Sequence, residues 1–432
     1  MKIKISIILL LAWMYPQVIL PQKVLTLREC YDKALAINPL ANEKETYNSI
    51  WQLKDKNLSK GYLPSIDAGA LVLYNSEVMD ISSALGNLPV PGIADAIKPL
   101  PHEQYKITVD INQVFYDGGS IKNARAMEKA ELGVNEKQAE SDLYRIRAQI
   151  NTYYFSILLL DRQKELFKNY LGLIDNRLKT MQSGLNNGLI MKSDIDVLTS
   201  EKLKLEQQIS ETDIKKAALL KILSDITGTE IDPSAELVVP VQADSTSEEI
   251  LRPELNLLDL RKEQLAAGLN IIESKRMPKA FGFATLGYGN PPGNNFFRDE
   301  FAPYYIMGAG IKWNIFDWNK AKNEKQLISL QQEIIDDRKS DLTDNLKRML
   351  ESKKAEIKSL KSLVETDNEL IALRRRITDA AKSQYENGTI TATEYLNEMN
   401  SEHQVMINNE IHKINLAMAG IEYLNISGKE IE

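Results

Sequence analysis

From Leu143 to Leu185 apolar residues recur every three or four positions: Leu143, Ile146, Ile150, Tyr153, Ile157, Leu160, Phe167, Leu171, Ile174, Leu178, Met181 and Leu185. The seam runs through six heptads and is broken only at Lys164. It admits few folds, because a helix this long cannot bury its stripe against itself and must supercoil with others. A helix from Gly118 to Gly184 would extend ~100 Å at about 1.5 Å per residue, and one from Asn319 to Asn387 as far. With 26% charged and 7% aromatic residues and 21 glycines in 432 positions, the composition also favours long helices over layered sheets.

Both long segments reverse at Asn-Gly, Asn187-Gly188 within MQSGLNNGLIMKSDIDVL and Asn387-Gly388 within SQYENGTITATEYLNEM. A carboxylate, Asp194 or Glu394, follows each glycine by six residues. Helices then return from about Leu189 to Thr227 and from Thr389 to Leu424. This correspondence extends along the chain. Pro39 and Pro64 match Pro253 and Pro278 at an offset of 214; Asp117, Gly188 and Asp194 match Asp317, Gly388 and Glu394 at an offset of 200. The difference lies in one loop, GNLPVPGIADAIKPLPH, whose counterpart is the shorter NPPGNNFF.

Before each long helix lie two alternating stretches. Ile107, Val109, Ile111 and Phe115 alternate with Lys106, Thr108, Asp110 and Asn112; Tyr305, Met307, Ala309, Ile311 and Trp313 alternate with Ile306, Gly308, Gly310, Lys312 and Asn314. Their partners, Ser65 to Asn75 and Phe281 to Gly289, have about the length of a tilted strand crossing a bilayer.

The sequence therefore divides into 1–21, a signal peptide; 22–64, an N-terminal helix; 65–116, a first β-hairpin; and 117–235, a first long helical hairpin. A linker at 236–253 leads to 254–277, the helix of the second repeat; 278–316, a second β-hairpin; 317–426, a second long helical hairpin; and a tail at 427–432. The signal peptide is read from Lys2 and Lys4 ahead of the apolar run Ile5 to Met14, closed by Pro16. A lone membrane anchor would need roughly 18 apolar residues.

Net charge is −7 with both signs interspersed, which leaves no basic stripe for nucleic acid. The single cysteine, Cys30, excludes a disulfide framework and reads as a small buried residue. His102, His403 and His412 have no metal-ligand spacing, and the methionines are scattered. Arg374-Arg375-Arg376 reads as a solvated stripe. No phosphate loop or nucleophile motif occurs, so neither an enzyme nor a cofactor is expected.

Four strands cannot close a barrel, and an open edge cannot face lipid. If the strands cross a membrane, two copies are the minimum and three supply twelve strands. Lys106, Asp110, Asn112, Lys312 and Asn314 would then line a wet lumen, while Tyr105, Ile107, Tyr305 and Trp313 would face lipid. The alternative is a secreted helical scaffold or interaction protein, without channel activity, whose strands form a soluble sandwich.

LTLRECYDKALAINP at the start, YLNISG at the end, VFYDGGSIKNA with its partner NIFDWNKAKNE, and the hairpins NNGLIMKSDIDVL and YENGTITATEYL together resemble the TolC-like outer-membrane efflux proteins. The resemblance implies a membrane α+β fold with a duplicated helix-strand-strand-helix-helix unit. It also implies a homotrimer whose twelve-stranded outer-membrane β-barrel continues as a long α-helical coiled-coil tunnel in the periplasm of a Gram-negative bacterium. Implied partners are outer-membrane lipid, a periplasmic membrane-fusion adaptor and an inner-membrane pump of RND or ABC type, for efflux or type I secretion through a passive, gated duct. Adaptor contact would fall on Gly188, Leu189, Ile190, Gly388, Thr389 and Ile390. Asp194, Asp196, Tyr385 and Glu394 are gate candidates, with a Tyr385 to Asp194 link implied. A second link is not matched, because Ile390 stands where some relatives carry a basic residue. The carboxylates have two readings, rings of like charge in a trimer or first-turn acids complementing a helix dipole.

Overall fold

The computed structural model describes residues 24–78, 100–186, 190–240, 249–295 and 298–431. The expected signal peptide, Gly188 and Leu189, most of the long loop before His102 and the middle of the linker lie outside the described residues. The helices are α1 (Leu27–Ile37), α2 (Glu43–Ser59), α3 (Ser120–Tyr144), α4 (Ile146–Asn186), α5 (Lys192–Thr227), α6 (Pro253–Lys275), α7 (Lys320–Glu386) and α8 (Ala392–Ser427). The strands are β1 (Val24–Leu25), β2 (Ser65–Tyr74), β3 (Glu103–Tyr116), β4 (Glu236–Leu237), β5 (Lys279–Asn290) and β6 (Ala302–Lys312). The chain forms two compact units.

One unit comprises Met1–Asn42, Ala139–Leu255 and Asp341–Glu432. Thr26 starts α1 with a capping box: its hydroxyl accepts from the Glu29 N–H at 3.2 Å, and the Glu29 carboxylate accepts from the Thr26 N–H at 3.1 Å. This points Leu27, Cys30, Tyr31 and Ala34 into a core with Ile150, Tyr154, Phe155, Ile157 and Leu158 of α4, Leu220 and Leu223 of α5, and Ile421 and Leu424 of α8. Cys30 is fully enclosed, as expected, and burial pushes its thiol up to about 12. The Tyr154 hydroxyl lies 2.8 Å from the Leu25 carbonyl and 2.7 Å from that of Val238, tying together the parallel pair β1 and β4.

The first long helix is not continuous: α3 stops at Tyr144 and α4 starts at Ile146, whereas α7 runs through 67 residues unbroken. At the break the Ala148 N–H donates to the Arg145 carbonyl, a tighter turn than the α-helical one. Its flanks are anchored on the C-terminal segment. The Tyr144 hydroxyl donates to the Asn425 carbonyl at 2.9 Å and Arg147 pairs with Glu430 at 2.7 Å. No periodicity signals this, because the partners lie more than 280 residues away.

The other unit comprises Glu43–Gln138 and Asn256–Ser340. Its antiparallel sheet has the order β2-β3-β5-β6, with Lys106 opposite Leu71 and Gly289, and Lys279 opposite Lys312. Pro278, which has no N–H, precedes β5, and β6 ends at the matching point. Trp313 and Asn314 therefore lie beyond the strand. This corrects the expected alternation, and with it the placing of Asn314 on a strand face. The Trp313 indole instead donates to the Arg276 carbonyl at 3.0 Å.

Both strand-to-helix turns are built on aspartate. Asp117 accepts from the Gly119 N–H at 2.8 Å and Asp317 from the Ala321 N–H at 3.0 Å, which satisfies donors at the starts of α3 and α7.

Candidate functional site

Two regions carry the candidate residues. In the sheet, register places Lys106, Asp110, Asn112 and Lys312 on one face. Asp110 accepts from the hydroxyls of Thr108, at 3.0 Å, and Thr285. Gly69, Gly287, Gly289, Gly308 and Gly310 share that face, and aromatic rings lie against three of them. A Cβ at Gly308 would come within 2.7 Å of Phe283, one at Gly310 within 2.9 Å of Phe281, and one at Gly287 within 2.3 Å of Tyr304. Such small residues let a sheet curl toward the face that carries them.

The opposite face is apolar on all four strands. It runs from Ile66, Ala68, Ala70 and Val72 through Tyr105, Ile107, Val109 and Ile111 to Ala284, Leu286 and Tyr288, and on to Tyr305, Met307, Ala309 and Ile311. Ile66, Val72, Tyr305, Met307 and Ile311 are each 68–78% exposed in the single chain, a contiguous apolar surface of the kind that marks a protein or membrane contact. Strands β2 and β6 are its unpaired edges.

The second region is the end of the helices at which the chain reverses. Helix α7 closes through Gly388, at φ +71, with the Gly388 N–H donating to the Tyr385 carbonyl and the Thr389 N–H to that of Gln384. Gly388 and Thr389 are exposed. Ile190 and Ile390 are half-buried instead. Ile190 packs with Met181, Leu198 and Ala392, and Ile390 beside Tyr395, Leu396 and Met399. Gly184 admits Ile190, whose Cδ1 would lie 2.6 Å from a Cβ there.

Of the gate candidates, Glu394 is engaged locally. Thr391 and Glu394 form a capping box, and the Thr391 backbone N–H, at 2.7 Å, with its hydroxyl holds the Glu394 carboxyl below its usual range. Asp194 stands half-buried in the first turn of α5, and Asp196 is exposed. Tyr385 is half-buried; burial raises its phenol, the Arg177 cation lowers it, and the Asp194 charge raises it.

Sequence reasoning passed over Arg177. On α4, it reaches the second hairpin, its guanidinium 4.6 Å from the Tyr385 ring centroid and 5.3 Å from that of Tyr395. Those rings stack at 5.6 Å and 13°, and Arg177 Nη1 donates to Glu386 at 3.2 Å. Beside it opens a cleft of about 480 Å³ lined by Tyr170, Arg375, Asp379, Tyr395, Glu402 and His403 among others. His403 stacks on Tyr170 at 4.3 Å, and burial lowers its pKa. Arg374 and Arg375 pair with Glu398 and Glu402 of α8 at 3.3 and 3.7 Å, so two of the three arginines read as a solvated stripe form ties between helices. Among the described residues, no group of His, Cys, Asp or Glu is placed to hold a metal ion, and no helix is long and apolar enough to cross a membrane.

No family model and no curated protein matches the sequence. Solved structures do. A structure of CusC, described in connection with folding and transmembrane channel formation, superposes at a TM-score of 0.68 with 12% identity, covering 94% of this chain and 92% of that one. The outer membrane protein VceC of Vibrio cholerae matches at 0.64 with 14% identity over 94% and 97% of the two chains. The open state of the Neisseria gonorrhoeae MtrE outer membrane channel matches at 0.65 with 12% identity over 94% and 89%. The fold is that of the outer membrane channels. The duplicated hairpins, the four-stranded sheet and the reversing helical ends described above are thus parts of an outer-membrane-channel fold.

Proposed function

We propose that three copies of this chain form an outer-membrane exit duct. The observation that carries the reading is the sheet: one face apolar on all four strands, the other mixed, with glycines, the polar Lys106, Asp110, Asn112 and Lys312, and apolar Leu71, Phe281, Phe283 and Ile306, and both edges unpaired among the described residues. In lipid, each unpaired backbone group on such an edge costs several kcal/mol. Pairing β6 of one copy with β2 of the next removes the edges, and three copies close a twelve-stranded barrel. Its outside is then the apolar face and its lumen carries Lys106, Asp110, Asn112 and Lys312. The helices continue as a periplasmic tunnel. Met349, Leu363, Leu370, Leu373 and Ile377 of α7, each exposed in the single chain, supply apolar surface for neighbouring copies.

In this reading the duct is passive. An adaptor of the membrane-fusion type meets the tips at Gly188, Leu189, Ile190, Gly388, Thr389 and Ile390. An inner-membrane pump drives efflux or type I secretion, and Asp194, Asp196 and Tyr385 sit at the constriction.

Fractionation with native mass spectrometry and planar-bilayer recording tests this. The processed chain is expected in the outer membrane, at the mass of three copies, with a conductance. A soluble periplasmic monomer would sink the proposal and leave the scaffold reading.

A further inference from the structure

We infer that β6 of one copy meets β2 of the next in one register, Ile311 opposite Ala70 and Lys312 opposite Gly69 of the next copy, and that Lys312 crosses this seam to the Asp67 carboxylate. That two copies meet rests on the duct reading; the register rests on the duplication. Under the offsets of 214 and 200, β2 corresponds to β5 and β3 to β6. The two hairpins obey this residue by residue. Ser65 stands opposite Asn112 in the first, and the matching positions, Lys279 and Lys312, stand opposite each other in the second. The junction between the hairpins, β3 with β5, sets Ile111 opposite Ala284 and Asn112 opposite Phe283. Carried on by the same offsets, that junction becomes β6 with β2, and Ile311 falls opposite Ala70 and Lys312 opposite Gly69. A barrel closes on a fixed stagger of its strands, which repeated hairpins supply when equivalent junctions share one register. The faces also agree, with Ala309 opposite Val72 and Ile311 opposite Ala70 on the apolar side. A slip by one residue would turn one strand over.

Charge gives a separate reason for these two edges to meet. Within the chain Asp67 stands directly opposite Asp110, and Lys279 directly opposite Lys312. Like charges so placed are destabilising. Both pairs lie on the face of Lys106, and each includes one exposed residue of an edge strand, Asp67 on β2 and Lys312 on β6. Joining β6 to β2 sets the lysine edge against the aspartate edge. Asp110 already accepts from Thr108 and Thr285, which leaves Asp67 for the lysine. In the inferred register Lys312 faces a residue without a side chain, and Asp67 is its diagonal neighbour, about 7–8 Å away and within reach of a long side chain. A shift by two would put Lys312 directly opposite Asp67 and keep both faces. Charge therefore selects the edges, and the repeat selects the register.

The test is oxidative cross-linking of the full chain in outer-membrane vesicles, read as covalent dimers and trimers on a non-reducing gel. Ile311→Cys is paired in turn with Ala70→Cys, Ala68→Cys and Val72→Cys. Within one chain β3 and β5 separate these positions by ~14 Å, so any link is between copies. A disulfide needs Cα atoms within about 7 Å, which residues directly opposite satisfy and diagonal ones do not. Cys30 is enclosed and stays silent. Ile311→Cys with Ala70→Cys should link roughly tenfold more than either shifted pair. Ala309→Cys with Val72→Cys should link equally well, and it reads the same register if the first pair does not reach the membrane. A stronger link from Ile311→Cys with Ala68→Cys or Val72→Cys overturns the register and leaves the duct. No link from any pair in a chain that conducts at the mass of three copies overturns the seam and leaves the duct, whereas an unlinked monomer overturns both. For the charge, Lys312→Gln should shorten the lifetime of the trimer in warm detergent roughly threefold, and have little effect in the Asp67→Asn background. Equal shortening in both backgrounds overturns the contact between Lys312 and Asp67.

Discussion

On α4 the side chains of Ile150, Tyr154, Phe155, Ile157 and Leu158 are almost wholly enclosed; 200 positions on, α7 carries Leu350, Lys354, Ala355, Ile357 and Lys358. Leu350 keeps the seam and stays buried, but the bulky flanking residues have become lysine and alanine. The difference follows from what each helix has to cover. Helix α1 and the β1/β4 pair pack on α4, which buries more than a single stripe, whereas α7 carries a narrow one and leaves Met349, Leu363 and Leu373 exposed. A duplicated sequence has thus become one core helix and one helix with apolar surface to spare.

The comparison can be broken most sharply at Tyr154. Tyr154→Ala should cost about 3–5 kcal/mol by removing a buried aromatic and the hydroxyl that ties β1 to β4. Its counterpart, Lys354→Ala, should stay within about 0.5 kcal/mol. Denaturant unfolding followed by circular dichroism separates the two, and equal losses would end the distinction between the helices.

A smaller effect is expected at the strand-to-helix turns, which the repeats build from different residues. Both turns need positive φ, supplied by Gly118 and Gly119 at +70 and +84 and by Trp318 and Asn319 at +53 and +64. A Cβ on Gly118 would lie 2.6 Å from Met277 Cβ, so Gly118→Ala should destabilise by about 1–3 kcal/mol. Trp318 is 83% exposed and forms a T-shaped aromatic pair with Phe316 at 4.8 Å. Trp318→Gly relieves left-handed strain of about 1–2 kcal/mol and loses an aromatic pair of about 0.5–1.5 kcal/mol. The same unfolding assay should find it close to neutral.

The smallest effect is a pH dependence at His403, which stacks on Tyr170 of α4. Burial depresses its pKa in the folded chain, so the unfolded chain binds the proton more readily. Stability from this group is complete above the ordinary histidine value near 6.5. It is lost as pH falls below that value toward the folded one. Thermal melts between pH 7.5 and 5 should show the decline, and His403→Phe should flatten it.

Much of the fold was legible because its determinants are periodic. The α4 seam, the alternation in β3 and β6 and the Asn387-Gly388 reversal each follow a local rule, and the strand faces follow once the alternation is known. The break at Arg145 and the contact of Arg177 with Tyr385 and Tyr395 were not legible. Arg177 stands beside the seam residue Leu178, where any solvated polar residue would fit, and its aromatic partners lie some two hundred residues away. Glu394 shows the converse: Thr391 three positions earlier already marks it as half of a capping box.

By itself the sequence determined the duplicated order of elements, the helical and strand periods and which strand residues share a face, since these depend on neighbours along the chain. Tertiary structure alone decided which of two equivalent helices becomes the core, where the first long helix breaks and which cation joins the hairpins. Those outcomes depend on side chains brought together from distant positions, where burial and electrostatics act across space and leave no spacing to read.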